Sequence, residues 1–316
     1  MFEDRVKQLK SVSIQELIQV IFKNPVEVEE LGHQDDLRNF VLRIDHKFIL
    51  KIYGDKERWQ NEVQNLLRMR QSDFKVPRLI DYGMVNHYNG WTLMNVLPGE
   101  VMSESYQQLS LKEREEFWSE MGALLAKFHM ANKTMYRDIV YFDKKSDAKS
   151  PMSYWEFIMG KYNRNKKKIE KKQYYGQLEA YQRAFAEIER GFTETRLSEV
   201  PLFVMCNRDF CIRNILYDKE QKNYGLIDFE MGFYGQPEAD FARVLLDLIK
   251  EEMTEHFFNG YFETNHLMHR DNKTIRVNLL LKIIEICSWA FERSPQYYAR
   301  TFEILKMLDH NLFLDH

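Results

Sequence analysis

The sequence predicts an α+β protein with a strand-rich N-terminal part and a mostly helical C-terminal part. Three observations carry this. Five segments with apolar alternation or short apolar runs lie before residue 98. Pro98-Gly99-Glu100 then breaks the pattern, and long amphipathic stretches follow it. The exception in the second part is 203–229, which reads as strand, loop, strand, turn, strand. The break sets the expected domains: 1–97 and 98–316.

The elements follow in order. Val6, Leu9, Ile14, Leu17, Ile18 and Ile21 recur at helical spacing, and Asn24-Pro25 ends that helix. Strands are expected at Val26–Leu31, Asn39–Ile44 and Lys47–Tyr53, the last two joined at Asp45-His46. Gly32–Arg38 is a polar connection with one glycine. Trp59, Val63, Leu66, Leu67 and Met69 make a helix of Lys56–Arg70, and Val76–Gly83 and Trp91–Leu97 supply two further strands. Leu111–Asn132 is helical through Phe117, Met121, Leu124, Leu125 and Phe128, with His129 as a packing or capping residue. Residues 133–150 read as loop and 151–197 as helix. Gly232–Arg243 follows, then helices to the end, the last one with Tyr297, Tyr298, Phe302, Leu305 and Leu308 on its apolar face.

The 316 residues carry 44% hydrophobic and 29% charged side chains and a net charge of −3. That balance suits a soluble globular protein and does not call for nucleic acid or an anionic membrane as partner. No apolar run approaches the ~20 residues of a membrane span, and the charged start Met-Phe-Glu-Asp-Arg does not read as a signal peptide. Cys206, Cys211 and Cys287 fit buried thiols in a reducing, cytoplasmic setting. The basic run Lys161–Lys172 is a solvated helix face or a rim that attracts anions. His266 and His269 lack the third ligand of a zinc motif.

The chemistry concentrates in 203–229. Asp209, Asn214 five residues later and Asp228 at a strand end offer two carboxylates and an amide. Such a set suits a hard cation and an attacking hydroxyl. Lys51 lies inside the apolar strand Phe48–Tyr53, where an unpaired ammonium is costly. Glu62 is a candidate partner. The alternative is a lysine that snorkels at a strand edge.

Taken together, the chain resembles the aminoglycoside phosphotransferase/choline kinase family of small-molecule kinases. Asn207-Arg208-Asp209 with Asn214 resembles the family's catalytic loop, usually His-Gly-Asp, four residues and Asn. Ile227-Asp228-Phe229-Glu230 looks like the metal-binding segment, and Gly235-Gln-Pro-Glu-Ala-Asp240-Phe-Ala resembles Gly-x-Pro-x-x-Asp-Leu-Ala. Leu93–Glu100 looks like the hinge, and Leu125–His129 resembles the helix that follows it. The resemblance implies a bilobal protein-kinase-like fold, with a five-stranded antiparallel sheet and a helix in the N-lobe, and it implies ATP and Mg²⁺. Lys51 would meet the α/β-phosphates, with Glu62 holding it. Met94, Asn95 and Val96 would bind adenine, Asn214 and Asp228 the metal, and Asp209 would act as base. Asp240 would organise the lobe.

Three departures stand out: Asn207 for His, Arg208 for Gly, and a phosphate loop at Gly32–Arg38 poor in glycine. The implied function is transfer of the γ-phosphate of ATP to a hydroxyl of a small molecule. The alternative is a catalytically weak or silent kinase-like protein, as among spore-coat-associated homologues. A protein kinase is disfavoured by the absence of Ala-Pro-Glu and by the short run from Asp228 to Pro237. A monomer or weak homodimer is expected. Glu230, Asp247, Glu251, Glu252 and Glu255 are candidates for an acidic acceptor pocket, and Tyr154, Trp155, Trp289 and Phe291 for an aromatic one.

Overall fold

The computed structural model of the protein describes residues 13–31, 39–70, 74–135, 153–172, 178–195, 202–266 and 268–309. It divides into two compact units, residues 1–108 with 207–233, and 109–206 with 234–316. The expected division at 97/98 differs from this. The first unit runs on to Gln108 and takes in the segment that carries Asp209, Asn214 and Asp228.

In the first unit, helix α1 (Ile14–Phe22) precedes strands β1 (Val28–Leu31), β2 (Asn39–Ile44) and β3 (Phe48–Tyr53). Helix α2 (Lys56–Met69) follows, then β4 (Leu79–Met84) and β5 (Gly90–Asn95). The five strands form one antiparallel sheet in the order β1-β2-β3-β5-β4. The period-two pattern decides its faces. Leu50 and Ile52 join Leu42, Ile44, Trp91 and Leu93 in a core closed by Ile18 of α1. Lys51 and Tyr53 therefore point the other way. The expected helix of 1–24 is described only from Ile14, and the Gly32–Arg38 connection lies outside the described residues.

A second, three-stranded sheet joins β6 (Glu100–Val101), β9 (Ile215–Asp218) and β10 (Asn223–Leu226). Gly99 makes this possible. Its φ is +117°, and a Cβ there would lie 2.7 Å from the carbonyl of Tyr217. Helix α3 (Met102–Ser105) completes the run.

The second unit holds α4 (Leu111–Ala131), α5 (Tyr154–Lys171), α6 (Leu178–Thr195), α7 (Glu238–Leu248), α8 (Thr254–Thr264), α9 (Asn272–Arg293) and α10 (Pro295–Asp309). Capping boxes at Ser110/Glu113 and Ser153/Glu156 start α4 and α5. Strand β7 (Lys133–Met135) pairs antiparallel with β8 (Leu202–Cys206), where a loop was expected. Lys-Thr-Met is too short to show a period. Strand β11 (Phe233–Gly235) ends the strand content. Helices α4 and α8 cross at glycines. A Cβ on Gly122 would fall 2.0 Å from the Phe257 carbonyl oxygen, and one on Gly260 1.9 Å from that of Ser119. No helix among the described residues is long and apolar enough to cross a membrane.

Candidate active site

The site assembles within the first unit, starting from Lys51. Its position on β3 turns its side chain toward α2, and it is only 6% exposed. Its Nζ lies 2.7 Å from Glu62 Oε2, 3.0 Å from Asp228 Oδ1 and 3.3 Å from Glu230 Oε2. Burial alone would lower the lysine's pKa, but Asp228, Glu62 and Glu230 outweigh it and hold the ammonium charged well beyond its usual range. The strand-edge alternative is thereby excluded. Glu62 does more than hold Lys51. The Tyr53 hydroxyl donates to its Oε2 at 2.6 Å, and the Phe229 N–H donates to its Oε1 at 3.1 Å.

Glu230 is the residue the sequence left as an acceptor-pocket candidate. It is buried and saturated. Asn39 donates to Oε2 at 2.7 Å, and Arg58 pairs with Oε1. Burial alone would raise its pKa, but Lys51 and Arg58 overcome this and hold the carboxyl well below its usual range. Asp228 is pushed the opposite way. Its partial burial raises it, and Glu230, Glu62 and Asp209 add to the rise against Lys51. Glu62, Asp228 and Glu230 thus gather on Lys51, Arg58 adds a second cation at Glu230, and the charge of Asp209 acts on Asp228. Oxygens of Glu62, Asp228 and Glu230 lie within 4.8 Å of one another, and the ammonium of Lys51 already serves as their shared cation.

The segment 207–214 is tied by amides. Asn207 donates from Nδ2 to the Asp228 carbonyl at 3.0 Å and accepts the Asp209 N–H on Oδ1 at 3.0 Å. The unusual Asn207 therefore bridges the two acidic residues through their backbones. Arg208 sits at φ +63°, the left-handed region that glycine adopts without cost. That geometry is a physical reason for glycine at this position, and Arg208 meets the strain with its guanidinium 5.0 Å from the centre of the Phe233 ring. Asp228 also has a left-handed φ, +64°. Such residues persist only where the surroundings over-determine them. Asn214 ends a short 3₁₀ turn, Ile212–Asn214. Its Nδ2 donates to the Asp209 carbonyl at 2.9 Å and to Asp209 Oδ2 at 3.1 Å, which leaves its Oδ1 as the atom it can offer a cation.

Met94, Asn95 and Val96, expected at a hinge, lie at the end of β5 and just beyond it. Met94 is buried at the end of β5. Asn95 N–H donates to the Arg78 carbonyl at 3.2 Å, and Val96 N–H to the Lys47 carbonyl at 2.9 Å. Asn95 Nδ2 donates to the Val96 carbonyl at 3.0 Å. At these two residues the backbone groups that can meet a base are carbonyl oxygens.

The second unit accounts for other candidates. His129 is fully buried, with Nε2 3.0 Å from Asp240 and Nδ1 2.8 Å from the Tyr261 hydroxyl, so it and Asp240 organise the packing there. Asp247 pairs with Arg243 at 2.9 Å and Arg300 at 3.5 Å, and Glu255 with Arg270. Trp155 meets Phe192 and Phe291 meets Tyr298 edge to face, while Tyr154 packs at a tilt on Phe203 and Trp289 on Tyr297. Cys206 and Cys287 here, like Cys211 in the first unit, are buried and outside any disulfide. Sequence reasoning missed Asn39, Arg58 and Asn65 as parts of the site. The signal available was a polar residue, Asn65, on the apolar stripe of α2.

The comparisons with known proteins bear on the fold and the family. No curated protein sequence matches the chain significantly. Among solved structures, the gentamicin complex of APH(2")-IIa aligns with a TM-score of 0.64 at 16% identity, covering 94% of this chain and 96% of that one. The GDP complex of aminoglycoside 2'-phosphotransferase-IIIa aligns at 0.64 and 14%, covering 95% and 98%. Spectinomycin phosphotransferase APH(9)-Ia with ADP and spectinomycin aligns at 0.57 and 16%, covering 92% of each. At these identities the likeness establishes a shared kinase-like fold. The profile of the phosphotransferase enzyme family matches residues 27–274, a span that holds Lys51, Glu62, Asp209, Asn214 and Asp228, and the chain belongs to that family.

Proposed function

We propose that the protein is an ATP-dependent phosphotransferase that moves the γ-phosphate to a hydroxyl of a small molecule of the aminoglycoside, choline or similar kind. The carrying observation is the grouping of Lys51–Glu62 with Asp228, beside a catalytic loop in which Asn214 and Asn207 both bind Asp209.

Phosphoryl transfer needs positioning and charge neutralisation more than covalent chemistry. Lys51 would meet the α/β-phosphates while Glu62 holds its stem in register. Asp209 would take the proton of the acceptor hydroxyl as its oxygen bonds to the γ-phosphorus and the bond to ADP breaks. The oxygen donors of Asp228 and Asn214 suit Mg²⁺, which would neutralise phosphate charge there. The base would donate its amino group to a carbonyl at Asn95 or Val96. ATP use and three free thiols suit a cytoplasmic protein. The saturated Asn207 argues for a maintained loop and against a decayed one.

The test is thermal shift with ATP or GTP, with and without Mg²⁺, followed by turnover on a panel of hydroxyl acceptors. Stabilisation by nucleotide that rises further with metal, with the metal-dependent increment lost in Asp228→Ala, is expected. Asp209→Ala should abolish turnover and keep nucleotide binding. No effect of either nucleotide at millimolar concentration would sink the reading.

A further inference from the structure

Resting on that reading, we propose that Asn65 is a positioning residue for the carboxylate of Asp228. Residues 228–232 lie outside any sheet, so side chains set their path. One face of α2 supplies most of them. Glu62 Oε1 accepts the Phe229 N–H, and Asn61 Nδ2 donates to the Glu230 carbonyl at 3.4 Å. Asn65 Nδ2 donates to the Phe229 carbonyl at 2.9 Å and to the Gly232 carbonyl at 3.0 Å. These two bonds use both hydrogens of its amide. Gly232 N–H closes back on Phe229 O at 3.1 Å, so Asn65 caps both carbonyls of one tight turn.

Asn65 is 3% exposed on a helix face it shares with Glu62, Val63, Leu66 and Met69. A buried amide there is costly unless bonded, and its partners are the segment that starts at Asp228. That aspartate has a left-handed φ that relaxes when its surroundings loosen. Asn207 holds its carbonyl, Glu62 the next N–H and Asn65 the next carbonyl. Helix α2 thereby fixes Lys51, through Glu62, and Asp228, through Asn65, with a single rigid element.

The test compares the parent with Asn65→Asp, which keeps the shape but loses the donors when ionised, Asn65→Leu, and Asn65→Ser, which keeps one donor. Binding of ADP is measured in EDTA by calorimetry, and binding of Mn²⁺ in the presence of ADP by electron paramagnetic resonance. ADP binding without metal is expected to hold in every folded variant. Mn²⁺ affinity should fall by about tenfold or more in Asp and Leu, the scale seen when outer-shell partners of metal ligands are removed, with Ser between them and the parent. Where Asn65→Leu does not fold, the Ser and Asp variants carry the comparison. Mn²⁺ affinity unchanged in the variants, or metal-free ADP binding lost in step with it, overturns the positioning role alone. A parent that binds neither ADP nor Mn²⁺ overturns the phosphotransferase reading and this role with it.

Discussion

Glu238 opens α7 directly after Pro237 and is 8% exposed. Two effects compete there. A helix N-terminus favours a carboxylate by about 0.3–1 kcal/mol. Burial opposes it, the charge of Asp271 adds to the opposition, and together they push the carboxyl from its ordinary 4.5 up to about 7. Burial wins. At 1.36 kcal/mol per unit, the shift amounts to ~3 kcal/mol between the protonated and ionised forms. The native state binds this proton more tightly than the unfolded chain does. The contribution to stability is therefore fully present below pH ~4.5, is lost as pH rises to ~7, and is flat above. Glu238→Gln keeps the size and stays neutral. It should match the wild type near pH ~4.5 and exceed it by up to ~3 kcal/mol near pH ~8. Urea unfolding of both proteins across that range measures the difference. A gap that does not widen with pH would refute the assignment of the decline to this carboxyl.

Two further perturbations test other parts of the fold. Gly122→Ala puts a methyl 2.0 Å from the Phe257 carbonyl oxygen, so α4 and α8 must part. Overpacking of this kind costs about 1–3 kcal/mol, and severe clashes more, against a helix-propensity gain of about 1 kcal/mol. A lower urea midpoint is expected, and a raised one would deny the close crossing. Asn207→Ala removes the bonds to the Asp228 carbonyl and from the Asp209 N–H. At about 1 kcal/mol each, ~2 kcal/mol of stability should go, together with turnover. Full turnover with unchanged stability would return Asn207 to the status of a bystander.

Much of this was legible in the sequence where the physics is local. A lysine within Phe48–Tyr53 demands an anion because strands alternate and its neighbours are core. Glu62 lies eleven residues on, and the two meet at 2.7 Å. Five strands and the long helices show in their periods. The rest depends on pairing across the chain. Glu230 read as a candidate for an acceptor pocket, and only the arrival of Arg58, Asn39 and Lys51 from residues more than 170 positions away makes it a saturated anchor. The break at Pro98-Gly99 is real as a turn, because Gly99 needs its positive φ. It is not where the unit ends, since β6 continues onto β9, and nothing local to Glu100-Val101 announces a partner at residues 216–217.

Asn207 shows the limit most clearly. From sequence it is a departure at the head of the catalytic loop, and the residue type alone invites a reading of lost function. The structural requirement at that position is narrower than the residue type. One donor must reach the Asp228 carbonyl, and one acceptor must receive the Asp209 N–H. An asparagine amide carries both on adjacent atoms, at 3.0 Å each. The same logic governs Arg208, where the requirement is a left-handed backbone, which a non-glycine residue can meet at a cost of about 1–2 kcal/mol. Asn207 thus supplies both bonds itself, and Arg208 holds the left-handed path at some strain. The bridge from Asn207 ties Asp209 and Asp228 through their backbones.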